Sequence, residues 1–123
     1  MQYNKDKEGN YNPAKQKTID NGRGLERVLA ILNGLEDDYL SECFLPIIKK
    51  IEQLSKKKYG KNNEETKTMR IIADHIKASV FILADGITPS NTEQGYVLRR
   101  LIRRAIVYAR KLDLENFTKQ KIK

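Results

Sequence analysis

Residues 66–84, TKTMRIIADHIKASVFILA, form the most apolar element of the chain and decide its fold. Their apolar side chains recur every three or four positions, which is typical of one side of an α-helix. This apolar side consists of Met69, Ile72, Ala73, Ile76, Val80 and Leu83. Because such a side must be covered by other elements, we predict that residues 66–84 form the central helix of the fold.

Three further segments show the same helical spacing, namely residues 25–32, 45–58 and 94–112. Asn33 and Gly34 can end the first of them, since both tolerate the conformation that closes a helix. Pro46 fits only in the first turn of a helix, so the second helix begins near Leu45. The sequence therefore predicts a mainly α-helical fold, a bundle of about four helices.

The first twenty residues are polar and are interrupted by Gly9, Asn10 and Pro13. Two short stretches, residues 1–4 and 17–20, alternate polar and apolar side chains and predict two short strands joined by a turn. A pair of strands alone is only marginally stable in water, so we interpret them as the edge of a larger sheet.

The composition excludes several classes of site. The 123 residues have the length of one domain and contain one cysteine, Cys43, and one histidine, His75. They cannot form an internal disulfide, a thiolate zinc cluster or a site with two imidazoles. We interpret Cys43 as structural and His75 as a hydrogen-bonded core or boundary residue. Neither a membrane span nor a leader peptide is evident, so we expect a cytoplasmic protein with no membrane partner.

Positive charge is concentrated in the predicted fourth helix. The chain has 24 basic and 16 acidic residues, a net charge of +8, and residues 95–112 hold five arginines and one lysine without an acid. Helical spacing arranges them in two neighbouring rows, Arg99, Arg103 and Arg110 beside Arg100, Arg104 and Lys111. Guanidinium groups match phosphate oxygens, so the rows favour a nucleic-acid backbone as ligand. A solvated face, or docking to an acidic protein or an anionic membrane, are the alternatives.

A second candidate site is the segment 22–27, GRGLER, at the start of the first predicted helix. Glycines before a helix let backbone amides approach an anion, which the helix N-terminus favours. Arg27, one turn into the helix, can reach a phosphate, or it can pair with Glu26 or Asp20. The residues alone leave both possibilities open.

Four blocks together resemble the alanyl-tRNA synthetase family, whose members are class II aminoacyl-tRNA synthetases. Residues 19–28, IDNGRGLERV, resemble motif 3 of that family. The segments that resemble its helical tRNA-recognition region are residues 71–76 (IIADHI), 84–91 (ADGITPSN) and 95–105 (GYVLRRLIRRA). The chain differs from the usual family pattern at Asn21, Arg23 and Gln94, where Thr, Met and Arg are more common.

The resemblance implies roles for the motif 3 residues. Arg27 takes the place of the catalytic arginine that contacts the ATP phosphates, and Gly22 and Gly24 let the backbone close on the nucleotide. Asp20 takes the place of the aspartate that pairs with the amino group of alanine. ATP and magnesium are the cofactors that the resemblance implies for the parent enzyme.

The resemblance also implies a role for the turn before the fourth helix. Asn91 falls where the family reads the guanine–uracil wobble pair of the alanine tRNA acceptor stem. A wobble pair leaves the guanine 2-amino group free in the shallow minor groove of A-form RNA, where a carboxamide oxygen can accept from it. The arginine rows then position the stem through its backbone, and the residues concerned are Arg99, Arg100, Arg103 and Arg104.

The resemblance further implies how the chain is divided. Residues 1–36 correspond to the edge of the class II catalytic domain, and residues 37–123 to the acceptor-stem recognition domain. Motifs 1 and 2, the C-terminal domain and the editing domain with its zinc ligands have no counterpart in the sequence. We therefore expect an internal piece of a synthetase, inactive alone, with the rest of the synthetase chain as partner. The alternative is a free-standing, non-enzymatic helical RNA-binding module.

Overall fold

The computed structural model describes residues 2–114 and confirms a mainly α-helical chain with a short N-terminal strand pair. Its helices are α1 (Leu25–Leu32), α2 (Leu45–Ser55), α3 (Asn63–Ala84) and α4 (Glu93–Lys111). A 3-10 turn, Asp38–Leu40, lies between α1 and α2. Within residues 2–114, no helix combines the length and the apolar character needed to cross a membrane.

The start of α3 is set by a capping side chain. Oδ1 of Asn62 accepts hydrogen bonds from the backbone N–H groups of Glu64 at 2.9 Å and Glu65 at 3.2 Å. A cap of this kind satisfies donors that the first turn of a helix leaves without partners. The helix therefore begins at Asn63, three residues before the predicted start at Thr66.

The N-terminal strands pair differently from the prediction. Strand β1 (Tyr3–Lys5) pairs antiparallel with β2 (Tyr11–Pro13), so the predicted second strand at residues 17–20 is wrong. Asp6 closes the hairpin, because its Oδ1 accepts from the N–H of Asn10 at 2.7 Å while Gly9 adopts a φ of +94°. Because these local bonds close a turn at residues 6–10, β1 pairs with residues 11–13 and not with residues 17–20. Met1 and residues 115–123 lie outside the described residues.

Helix α3 is central, as predicted, and packs against both α2 and α4. Met69, Ile72 and Ala73 are fully buried between these two helices. The residues that complete the core around them are Phe44, Ile48, Ile51, Ala109, Leu112 and Leu114. Leu98 and Ala105 of α4 are also buried, which places the arginine rows on the opposite, solvent side of that helix.

The apolar side of α3 is covered over only part of its length. Val80 and Leu83, predicted to lie in the core, are 57% and 45% exposed, and Phe81 beside them is 63% exposed. Helix α2 has 11 residues and α3 has 22, so α2 spans only about half of that side. Two of the apolar residues whose helical spacing predicted α1, Leu25 and Leu32, are likewise exposed.

A polar cluster fastens the connection between α1 and α2 to α3. Oδ2 of Asp37 accepts from the Tyr59 hydroxyl at 2.5 Å and from Nη2 of Arg70 at 2.6 Å. Nε of Arg70 also donates to the Tyr59 hydroxyl oxygen at 2.7 Å. Burial alone would raise the pKa of Asp37, but hydrogen bonds from Tyr59, the Tyr39 backbone and Arg70 together hold that pKa below its ordinary value. Burial and the bond to Asp37 raise the pKa of Tyr59 to about 12.

Candidate nucleic-acid interface and adjoining cleft

The turn that carries Asn91 is built directly onto the first turn of α4. The N–H of Ser90 donates to the carbonyl oxygen of Gly95 at 3.1 Å, and the Ser90 hydroxyl donates to the carbonyl oxygen of Thr92 at 2.8 Å. A Cβ on Gly95 would lie 2.3 Å from Oγ of Ser90 and 2.5 Å from the carbonyl oxygen of Thr88. Only glycine therefore lets the turn approach the helix this closely.

Asn91 and Arg99 are brought together by this turn. Nη1 of Arg99 donates a hydrogen bond to Oδ1 of Asn91 across the first two turns of α4. The sequence predicted a backbone-binding role for Arg99 and did not predict this contact. A sequence feature that could have predicted this contact is the spacing of eight residues between Asn91 in the turn and Arg99 on the outer face of the next helix.

The arginines of α4 present an uncompensated positive surface. Arg99, Arg100, Arg103 and Arg104 are all exposed, and within residues 2–114 none of them forms an ion pair. The second row stacks on aromatic rings of its own helix. Arg100 lies 5.7 Å from the centre of the Tyr96 ring and Arg104 lies 5.8 Å from that of Tyr108. Such contacts hold a guanidinium in place without neutralising its charge.

A depression of about 370 Å³ lies along this surface, lined by the four arginines Arg99, Arg100, Arg103 and Arg104 and by His75 of α3. His75 is buried, as its interpretation as a core or boundary residue requires. Its Nδ1 lies 3.1 Å from Oδ2 of Asp74. Its Nε2 is buried and has no hydrogen-bond partner in the described part of the chain. The prediction that His75 is hydrogen-bonded is therefore confirmed for one of its two ring nitrogens only.

Arg27 lies in a separate cleft of about 600 Å³ between α1, the 3-10 turn and α3. Its side chain is 78% exposed, and its Nε lies 3.7 Å from Oδ2 of Asp38, too far for a hydrogen bond. Arg27 therefore pairs with neither Glu26 nor Asp20, the two partners considered from the sequence. No residue of α4 lines this cleft, so the structure does not bring Arg27 together with Asn91.

Neither glycine before α1 is required by the packing of the described residues. A Cβ on Gly22 would have no neighbour within 4 Å, and one on Gly24 would meet only Cβ of Arg27 at 3.7 Å. Gly24 is the N-cap of α1 and provides no side chain to bind the first N–H groups of the helix. Asp20 is exposed and makes no hydrogen bond or ion pair within residues 2–114.

An ion pair that the sequence analysis missed joins α1 to α3. Nζ of Lys77 donates to Oε1 of Glu26 and lies 4.8 Å from the centre of the Phe44 ring. The hydrogen bond from Lys77 holds the pKa of Glu26 below its ordinary value. Because Lys77 is engaged in this way, Arg27 is the cation of the cleft that remains accessible. The pair also crosses the predicted domain boundary after residue 36.

Comparison with known proteins identifies the family. The family model described as tRNA synthetases class II (A) matches residues 1–122, so the chain belongs to the class II tRNA synthetases. Its relatives within that class are alanine–tRNA ligases. It is 55% identical to the enzyme of Borrelia hermsii over 119 residues, 95% of this chain and 20% of the relative. It is 49% identical to that of Treponema denticola, again over 20% of the relative, and 44% identical to that of Pediococcus pentosaceus over 13%.

These matches confirm the resemblance derived from the motifs. The chain spans about a fifth or less of the length of the relatives named here, and it matches them over 92% or more of its own length. It thus corresponds to one piece of an alanine–tRNA ligase.

Proposed function

We propose that this chain supplies acceptor-stem recognition and motif 3 to a cytoplasmic ligase that joins alanine to its tRNA. The observation that carries the proposal is the arginine face of α4 with Asn91 attached to it by the Gly95 turn. Such a surface offers phosphate-binding side chains together with one polar group of defined position, which are the two elements of sequence-selective recognition.

Asn91 is the residue that reads the stem in this proposal. Oδ1 has two lone pairs, of which Arg99 occupies one, so the second can accept a hydrogen bond from a guanine 2-amino group. That amino group is free in the minor groove of a guanine–uracil pair and is engaged in a guanine–cytosine pair. The proposed ligand is therefore the acceptor stem of alanine tRNA with its wobble pair.

The arginine rows position the stem by binding its backbone. Exposed guanidinium groups without acidic partners can exchange counterions for phosphates at little cost, which makes binding dependent on salt. Arg100 and Arg104, held by Tyr96 and Tyr108, present their charge in fixed places along the helix. Arg103 completes the surface as a third phosphate-binding group.

The cleft around Arg27 fits the phosphates of ATP in part. Arg27 is mostly exposed and only loosely paired with Asp38, and a ligand can approach the backbone at Gly22 and Gly24 because no other side chain fills that space. Asp20 is free to bind the amino group of alanine. Within residues 2–114 no three acidic, histidine or cysteine side chains form a metal site, so any protein ligands of magnesium would belong to the rest of the synthetase chain.

When bound, ATP would activate alanine by transferring its adenylyl group to the alanine carboxylate, with pyrophosphate as the leaving group. The residues of this chain would bind and orient: Arg27 the phosphates, Asp20 the amino group of alanine. The remaining groups that such a reaction needs belong to the rest of the synthetase chain, which is the second partner in the proposal.

The proposal is tested by measuring the binding of the 123-residue chain to a fluorescent acceptor-stem hairpin at several salt concentrations. We expect affinity to fall steeply with salt and a wobble stem to bind about 1 to 3 kcal/mol more tightly than its guanine–cytosine counterpart. Asn91→Ala is expected to remove this preference and Arg103→Ala to weaken both stems alike. Equal binding of the two stems by the unmodified chain would contradict the reading role of Asn91.

A further inference from the structure

We infer that Arg99 is a positioning residue, which holds the Asn91 carboxamide in the orientation that discriminates between base pairs. This inference rests on the proposed function of Asn91 and adds a residue to it. Arg99 is distinguished from the other arginines of α4 by its contact, since it is the one that donates to the Asn91 side chain within residues 2–114.

The carboxamide of an exposed asparagine rotates readily unless a neighbouring group holds it. The terminal torsion of an asparagine side chain has a broad, nearly two-fold energy profile, so an exposed amide readily exchanges the positions of its oxygen and nitrogen. Asn91 is exposed and lies in a turn that supplies no other hydrogen bond to its side chain within the described residues. Without Arg99, both orientations of the amide would be populated.

The guanidinium group of Arg99 selects one of the two orientations of the Asn91 amide. A guanidinium group is a hydrogen-bond donor only, so it attracts the amide oxygen and repels the amide N–H groups. The contact with Nη1 of Arg99 therefore fixes Oδ1 on the side of α4 and Nδ2 on the other side. The lone pair of Oδ1 that remains is then presented in one direction only.

The backbone between Asn91 and Arg99 is held against the first turn of α4. The close contact of Gly95 with Thr88 and Ser90, and the bond from Ser90 to the Gly95 carbonyl, fix the turn on α4. Arg99 lies on the same rigid helix, one turn after Gly95. Asn91 and Arg99 are thus attached to one unit, so their hydrogen bond persists without ordering a flexible segment on binding.

Arg99 and Arg103 belong to the same row of α4 but have different surroundings. Arg103 is exposed and makes no contact with Asn91 or with an aromatic ring within residues 2–114. If both arginines acted only on phosphates, their replacement would weaken binding to every stem by a similar factor. A positioning role for Arg99 instead changes the ratio between two stems that differ in one base.

The experiment measures dissociation constants of the 123-residue chain for the wobble and the guanine–cytosine hairpins. It uses the unmodified chain and the variants Asn91→Ala, Arg99→Ala, Arg99→Lys, Arg103→Ala and the double variant of Asn91 and Arg99. Immobilising one side chain costs a factor of about 2 to 12, so Arg99→Ala should lower the preference for the wobble stem by about that factor. Arg103→Ala should leave the preference unchanged.

The lysine and double variants separate charge from orientation. Arg99→Lys keeps the charge but loses the rigid fork of donors, so we expect nearly the original salt dependence with a reduced preference for the wobble stem. The double variant should show the same preference for the wobble stem as Asn91→Ala alone, because Arg99 acts through Asn91. The melting temperature should stay within about 2 °C, since both residues are on the surface.

Two results would overturn the inference, and only the second would also contradict the proposed role of Asn91. If Asn91→Ala removes the preference while Arg99→Ala weakens both stems equally, Arg99 binds phosphate only and the proposed function stands. If Asn91→Ala leaves the preference intact, Asn91 does not read the stem, and the proposed reading role falls together with the inference.

Discussion

Gly95 is the residue on which the position of the candidate interface depends most directly. Among the glycines of residues 2–114, it alone has no space for a Cβ, which would lie within 3.0 Å of Ser90 and of the Thr88 carbonyl oxygen. The family resemblance indicated the turn and Asn91, but the steric reason for Gly95 requires coordinates. A glycine in a helical pattern indicates close packing without saying what packs against it.

We predict that Gly95→Ala destabilises the chain, although alanine is the better helix former. The added methyl group must push away both a side chain and a backbone oxygen, and overpacking of this kind costs about 1 to 3 kcal/mol. Unfolding in urea, followed by circular dichroism, measures the change. Gly22→Ala is the matched control, because its Cβ meets nothing within 4 Å and should leave the free energy of unfolding within about 0.5 kcal/mol.

Asp37 is a residue whose contribution depends on pH. Its pKa is lowered in the folded chain by Tyr59, the Tyr39 backbone and Arg70, although burial opposes that shift. The unfolded chain therefore takes up a proton at Asp37 at higher pH than the folded chain does. The stability that Asp37 contributes is present above the unfolded pKa of about 4 and is lost as pH falls through the folded value.

The pH prediction is tested by urea unfolding of the unmodified chain and of Asp37→Asn at pH 7 and at pH 3. The variant should be less stable at pH 7 by about 1 to 3 kcal/mol, because a partly buried, charge-assisted cluster is weakened. The difference between the two proteins should shrink at pH 3. Glu36→Gln serves as control, since Glu36 is exposed and has no partner among residues 2–114. A difference independent of pH would show that the Asp37 charge is not what stabilises the cluster.

At the scale of elements, helix positions follow closely from apolar spacing and capping residues. The bounds of α1, and the start of α2 at Leu45, agree with the predictions, and α3 gains one turn because Asn62 caps it. The strand pairing could not be read from alternation, since the hydrogen bonds of Asp6 selected residues 11–13. The exposure of Val80 likewise depends on the length of α2. The spacing of apolar residues along α3 does not predict how far α2 extends.

The contact between α1 and α3 provides a prediction at this scale. Glu26 and Lys77 are 28% and 19% exposed, so their ion pair is shielded from solvent more than a surface pair is. A double-mutant cycle with Glu26→Gln and Lys77→Met should give a coupling energy of about 1 kcal/mol or more. Methionine keeps the packing of the Lys77 stem on Phe44. Additive effects of the two substitutions would mean that the pair does not hold α1 against α3.

At the scale of the whole molecule, two candidate sites, with different proposed ligands, lie on separate surfaces of the described chain. The cleft around Arg27 has no lining residue from α4, and the depression on α4 has none from α1. Both candidate sites were proposed from the sequence, because the residue types and the family resemblance point to them. The contact of Lys77 with Glu26 joins residues far apart in sequence, and the contact of Arg99 with Asn91 depends on how the turn before α4 folds onto that helix, so both were found in the structure.

We predict that the 123-residue chain alone does not catalyse ATP–pyrophosphate exchange in the presence of alanine and magnesium. The resemblance implies phosphate contacts in this chain only for Arg27, Gly22 and Gly24, and it assigns the adenine and α-phosphate contacts to motifs that this sequence does not match. Exchange is measured with labelled pyrophosphate, using a longer alanine–tRNA ligase as positive control. Exchange above background would show that the chain contains a complete activation site.

The role proposed for Asn91 is to accept a hydrogen bond from one amino group in the minor groove of an RNA stem. It is tested most directly by replacing the guanine of the wobble pair with inosine, which keeps the wobble geometry and removes only the 2-amino group. We predict that the unmodified chain binds the guanine stem about 5- to 150-fold more tightly than the inosine stem, and that Asn91→Ala binds the two equally. Equal binding of both stems by the unmodified chain would contradict it.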